Sequence, residues 1–169
     1  MEVAATGLSR NAIRVLTKKV REISGCDKEP YFPVVEFIEF VLGNPDYPDF
    51  DFEIVDPEEM DNMYGTTNTD TNVMKIREDV YLRAKQGVPR DRFTLCHELG
   101  HYFLHQPQFV SYARGEIPRY CNPEWQANTF AGELMAPYDL CRDMSIEEIM
   151  ESCGMSRQAA TIQYREYHK

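Results

Sequence analysis

The run His97-Glu98-Leu99-Gly100-His101 sets two imidazoles four residues apart with a carboxylate beside the first. In a helix, residues four apart lie about 40° apart around the axis and about 6 Å apart along it, so both rings leave one face and can share a metal ion. Glu98 sits one step round the helix. It is too displaced to ligate with them but can reach a water on the metal, which suits a general base. That division of labour is the signature of zinc-assisted hydrolysis. The chain holds only four histidines, and their random placement gives about 0.007 expected matches to this pattern. The competing reading is two histidines satisfied by polar partners in a helix core. It needs hydrogen-bond partners for four ring nitrogens, a demand a metal meets directly.

A catalytic zinc takes a third protein ligand and keeps its fourth position for water. His105 lies another turn along the same helix, roughly 9 Å from an ion centred between His97 and His101. It reads as a structural residue or as a complement to the helix C-terminal dipole. The longer zinc pattern that would extend this motif also fails, because Leu104 and Pro107 stand where Gly and His are needed. The third ligand therefore comes from another segment, and Glu124 is the leading candidate. It occupies the first turn of a helix led by Asn122-Pro123, in which Ala127 and Ala131 form a small-residue stripe that lets two helices approach closely. A simple dipole role for Glu124 is the alternative. Glu116, Glu133 and Cys121 are rivals on chemistry alone, although two nitrogens and one oxygen is a set found in zinc peptidases.

The elements that position these residues follow from periodicity and capping. Ser9 caps a first helix in which Ile13, Leu16, Val20 and Ile23 face inward, basic residues face outward and Gly25 supplies the left-handed stop. A second helix starts at Pro33, turns Val34, Phe37, Ile38 and Val41 inward, and stops at Gly43. Turn formers fill Asn44 to Asp49. The alternation of Phe50, Phe52 and Ile54 with acids then predicts a half-buried strand. Residues 64–72 fit either an exposed edge strand or a loop; Val73 to Arg77 reads as a strand, and Asp79 to Gln86 as a short helix ended by Gly87. Pro89 precedes the motif helix, roughly Asp91 to Leu104, which is apolar nearly all round and therefore buried. A loop over Gln106 to Cys121 leads to the helix from Asn122 to about Met135. A capping box, Ser145 to Glu148, opens a C-terminal pair of helices broken by Gly154 and recapped by Ser156. Helices, then strands, then helices indicate α+β.

The 169 residues suit one domain: N-terminal helices over about 9–43, a sheet region over about 50–77, zinc-binding helices over about 90–137 and a C-terminal helix pair over about 145–167. With 43% apolar residues the chain can bury a core. A net charge of -10 argues against direct nucleic-acid binding by the surface as a whole. Five cysteines without a C-x-x-C pair read as reduced thiols. The N-terminus lacks a signal sequence and no run is long enough to span a membrane, so the expected location is the cytoplasm, away from membranes.

Two blocks carry a family resemblance: Arg92-Phe93-Thr94-Leu95-Cys96-His97-Glu98-Leu99-Gly100-His101-Tyr102-Phe103-Leu104-His105, and Glu124-x-x-Ala127-Asn128-x-Phe130-Ala131-x-Glu133-Leu134-Met135-x-Pro137. Together they resemble the ImmA/IrrE family of metallo-endopeptidases. Ile76 to Arg92 and Ile146 to Tyr164 extend the likeness, which spans roughly 34–167 and is densest over 90–137. The resemblance implies a small zincin-like domain of gluzincin type, mostly helical with a small mixed or antiparallel sheet. His97, His101 and Glu124 would hold one zinc, with manganese the alternative metal, and Glu98 would be the base. It further implies a stand-alone, mobile-element type of protein that cleaves a helix-turn-helix repressor and so derepresses genes. At 169 residues neither the sensory domain of the radiation-response members nor a fused DNA-binding module is expected. The chain also departs from the family at Cys96, commonly Ala, where an accessible thiol would make the site sensitive to oxidation.

A residue that stabilises the oxyanion is also needed, and Tyr112, Tyr120 or Arg114 can supply it from the connecting loop. The C-terminal helix pair resembles a helix-turn-helix in outline, but Glu147, Glu148 and Glu151 crowd its first helix, so a pair that closes the core is the better reading. The acidic surface suits a basic repressor, and the threonine-rich segment 64–72 suits pairing with an extended substrate. The alternative function is a non-proteolytic regulatory protein that binds a transcription factor and whose zinc is structural.

Overall fold

In the computed structural model, which describes residues 1–46 and 49–169, the chain opens with β1 (Glu2–Ala5), α1 (Arg10–Ile23) and α2 (Val34–Glu36), the last continued by a π-helical segment, Phe37–Leu42. Next come β2 (Asp51–Val55), β3 (Gly65–Asn68), β4 (Val73–Arg77), α3 (Glu78–Lys85), α4 (Pro89–Leu104) and β5 (Val110–Ala113). Four helices complete it: α5 (Pro123–Met135), α6 (Tyr138–Cys141), α7 (Ile146–Cys153) and α8 (Arg157–Tyr167). This is an α+β arrangement, mostly helical with two small sheets. The turn expected over Asn44 to Asp49 lies partly outside the described residues. Among the described residues, no helix is long and apolar enough to cross a membrane.

Local chemistry accounts for the starts and stops. Ser9 accepts a hydrogen bond from the Ala12 N–H at the head of α1, and Gly25 follows the helix with φ +73°. The inner face of α1 differs from the expected one: Ile13, Thr17 and Arg21 are buried, whereas Leu16 and Ile23 are exposed. Polar anchoring turned the helix. Arg21 donates to the carbonyls of Leu134, Cys26, Glu29 and Pro30, and Arg10 and Arg14 reach the fully buried Glu133 carboxylate. These arginines face the core side and not solvent, because each has a buried acceptor that offsets its desolvation.

The larger sheet has the order β2-β4-β3, with β2 parallel and β3 antiparallel to β4, so β3 forms an edge. The segment for which strand and loop both fitted is thus a strand over Gly65–Asn68. A second, two-stranded sheet pairs β1 with β5, Val3 opposite Tyr112. β5 lies within the stretch expected to be a loop, Gln106 to Cys121, and a strand of four residues is too short for periodicity to declare it.

The molecule's centre is the packing of α4 on α5. A β-carbon on Gly100 would lie 3.0 Å from the Ala127 Cα, 3.1 Å from its carbonyl oxygen and 3.2 Å from the Phe130 Cβ. A glycine facing an alanine is what permits that approach. Arg92, also buried, donates to the carbonyls of Phe32, Cys153 and Gly154, tying α4 to the start of α2 and the end of α7. The capping box of α7 is formed by Ser145 and Glu148, Gly154 ends the helix with φ +62°, and Ser156 caps α8. Ile149, Cys153, Met155 and Ala160 of this C-terminal pair are buried in the core.

Candidate metal centre

The close approach of α4 and α5 brings His97, His101 and Glu124 together. The Nε2 atoms of the two histidines lie 3.0 Å apart. Glu124 Oε2 is 3.2 Å from His97 Nε2, and Oε1 is 3.0 Å from His101 Nε2. Among the described residues this is the one group of three or more His, Cys, Asp or Glu donors so gathered. The edge of a tetrahedron with arms of zinc–nitrogen length, about 2.0–2.1 Å, is about 3.3 Å, so the spacing fits one ion bound by three donors.

The hydrogen bonds behind the rings fix which nitrogens carry protons. Gln126 Nε2 donates to the carbonyls of Thr6 and Tyr120 at 2.8 and 2.7 Å, which leaves its Oε1 to accept from His105 Nε2–H at 2.9 Å. The Nδ1 of a neutral His105 is then an acceptor and takes the Nδ1–H of His101 at 2.8 Å. On the other side His97 Nδ1–H donates to Asn128 Oδ1 at 2.8 Å. Both Nε2 atoms are thereby left as lone pairs that face one another and a carboxylate. Three facing electron pairs repel unless a cation lies among them, and orienting partners of this kind are what ligating imidazoles need. Burial, then the neighbouring His97 and His105, push the His101 pKa down to about 3, keeping the ring neutral and free to coordinate. The residues present fit a divalent metal ion.

Glu98 lies beneath the edge strand. Gly65 and Thr67 of β3 stand opposite Ile76 and Met74 of β4, both fully buried, so all four point to one face of the sheet. Thr67 Oγ1 donates to Glu98 Oε2 at 2.6 Å, and a β-carbon on Gly65 would come within 3.1 Å of Glu98 Cγ. Glu98 is 6% exposed. Burial raises its pKa above the usual carboxylate range and the Glu124 charge adds to this, while the Thr67 hydrogen bond and His97 oppose it.

The other sequence candidates lie apart from the three donors. Glu133 is enclosed by Arg10 and Arg14. Cys121 lies beside Gly7 and Glu116 is exposed. Tyr112 and Tyr120 are exposed on β5 and before α5, and among the described residues no hydrogen bond or ion pair joins them or Arg114 to His97, His101 or Glu124. His105 lies outside the gathered donors: it is buried, with His101 on its Nδ1 and Gln126 on its Nε2. Cys96 is fully buried with its thiol pushed up to about 12 by burial, so the oxidation-sensitive alternative does not hold. Sequence reading missed Thr67, Gln126 and Asn128. The last two are visible only as polar residues on either side of Ala127 in α5, Asn128 within the quoted block but without a role, and Thr67 only as one threonine of a threonine-rich edge.

Comparison with family models matches residues 52–163 to Peptidase_M78, described as the IrrE N-terminal-like domain. The matched segment runs from within β2 into α8 and contains Thr67, His97, Glu98, His101, His105 and Glu124. No curated protein matches the chain. The match supports a metallopeptidase-type function, and the donor set supports a metal ion.

Proposed function

The chain belongs to the Peptidase_M78 (IrrE N-terminal-like) family, and from that premise we propose that it is a zinc-dependent endopeptidase whose substrate is a helix-turn-helix repressor in the cytoplasm. The observation that carries the reading is the convergence of His97, His101 and Glu124 at 3.0–3.2 Å, with the buried Glu98 beside them. A divalent ion held by these three residues, zinc before manganese, would polarise the scissile carbonyl and make the attacking water more acidic.

The rest of the work falls to the chain's own side chains. Glu98 takes a proton from the attacking water and returns it to the leaving amine, the double role a carboxylate can play when its pKa is raised toward neutrality. Thr67 donates to Oε2, which leaves Oε1 to take the proton. The outer edge of β3 is unpaired within the sheet order β2-β4-β3, and an extended substrate backbone can add to it directly above Glu98. Three protein donors, and not four, is the pattern of a zinc site that retains a place for substrate.

The test is Glu98→Gln, which keeps the volume and removes the base. Metal content survives, while cleavage of the repressor and the derepression that follows are lost. Derepression by the variant would instead mean a binding protein with a structural metal.

A further inference from the structure

Beside the metal centre a cleft of about 520 Å³ opens between α4, α5 and the head of α8. It adjoins the candidate site through Asn128, which lines it and holds the His97 ring. Its charge is the reverse of the protein's. The chain carries 28 acidic against 18 basic residues, yet this lining holds Arg10, Arg90 and Arg119 and no Asp or Glu.

Two of these arginines have no carboxylate of their own. Arg10 is occupied by Glu133 and Glu166. Arg90 lies over the Tyr64 ring at 4.7 Å and Arg119 over the Trp125 ring at 5.4 Å, and among the described residues neither forms a salt bridge. Glu166 feels Arg119 only at longer range. Stacking on an aromatic face holds a guanidinium in place while leaving its fork of donors available. A second, independent sign comes from Trp125, which lines the cleft. Among the described residues its buried Nε1–H has no acceptor, a cost that a bound acceptor reaching it would remove. The cleft adjoins the edge strand, because Tyr64, on which Arg90 stacks, immediately precedes β3.

We propose that this cleft is a substrate subsite that binds a peptide carboxylate, held by Arg90 and Arg119 on the His97 side of the metal centre. The carboxylate comes from an acidic side chain or from a chain end. The inference rests on the peptidase reading for the word substrate, but the binding itself does not depend on catalysis.

Trp125 is the only tryptophan in the chain, so its fluorescence reports on the cleft without a label. The experiment titrates the Glu98→Gln protein with four probes: acetyl-Ala-Glu-Glu-Ala-amide, its Gln-Gln counterpart, tetra-alanine with a free carboxyl end, and inorganic phosphate. A carboxylate peptide should change Trp125 emission saturably and bind about tenfold or more tightly than the Gln-Gln peptide, the factor expected from charge-assisted hydrogen bonds. The double variant Arg90→Gln/Arg119→Gln should lose that difference while melting at the same temperature, since both residues are exposed. Preference for the glutamate peptide assigns a side chain, preference for tetra-alanine a chain end, and either upholds the subsite. Equal binding of the Glu and Gln peptides, an unchanged double variant, or phosphate binding as well as the peptides would overturn it. Failure of the peptidase reading shows elsewhere, as cleavage retained by Glu98→Gln, so the two failures are distinguishable.

Discussion

Thr67 Oγ1 lies 2.6 Å from Glu98 Oε2, a hydrogen bond that joins the edge strand to the central helix at the residue assigned as base. Burial raises the Glu98 pKa and this bond restrains the rise. Replacing Thr67 by Val removes the restraint, so the carboxyl holds its proton to higher pH. The acidic limb of the kcat/KM profile should move to higher pH, and Thr67→Ser should restore it. An unmoved limb in Thr67→Val would mean that the hydroxyl does not act on the base.

Much of this centre was legible in the sequence because it depends on local spacing. The motif helix, the Asn122-Pro123 start of α5 and the Ala127/Ala131 stripe all show within one or two turns, where helical geometry fixes the outcome. What was hidden depends on contacts between distant segments. The inner face of α1 was set by the acceptors awaiting Arg14 and Arg21, which overrode the apolar stripe through Leu16 and Ile23. The pairing of β1 with β5 joins segments more than a hundred residues apart, and neither strand is long enough to show alternation. Glu124 was the leading candidate, and the partners of its rival Glu133 lie on α1, a contact between distant segments that no local pattern announces.

His105 orients His101, and its loss should be felt at the metal before it is felt in the fold. His105→Ala is expected to weaken metal binding by about 10- to 100-fold, the range for partners behind a ligating imidazole. His105→Gln can accept from His101 Nδ1–H and donate to Gln126, and should recover part of the loss. Competition with a chromophoric chelator measures both. Equal metal affinity in His105→Ala and wild type would remove the orienting role.

Gly100→Ala tests the helix crossing. The new methyl meets the Ala127 backbone at 3.0–3.1 Å, where nothing flexible can yield. The helices must separate, at a cost of about 1–3 kcal/mol. Urea unfolding should show the loss of stability, and metal affinity should fall with it because Glu124 rides on α5. Unchanged values for both would contradict the close packing.

Cysteine alkylation in the folded protein should divide the five thiols into two groups. Cys26 and Cys121 are half-buried, whereas Cys96, Cys141 and Cys153 are fully enclosed. Iodoacetamide should modify the first pair and spare the other three, Cys96 also being held as an unreactive thiol. Peptide mapping by mass spectrometry reads the outcome, and rapid labelling of Cys96 would refute its burial.

The most direct measurement is the metal content of the purified, dialysed protein by elemental mass spectrometry. Wild type and Glu98→Gln should each retain one divalent ion per chain, while His97→Ala and Glu124→Ala, still folded by circular dichroism, should retain none. Stoichiometric metal in either of those last two variants, or its absence from wild type after zinc is supplied, would contradict a centre built from two imidazoles of α4 and one carboxylate of α5.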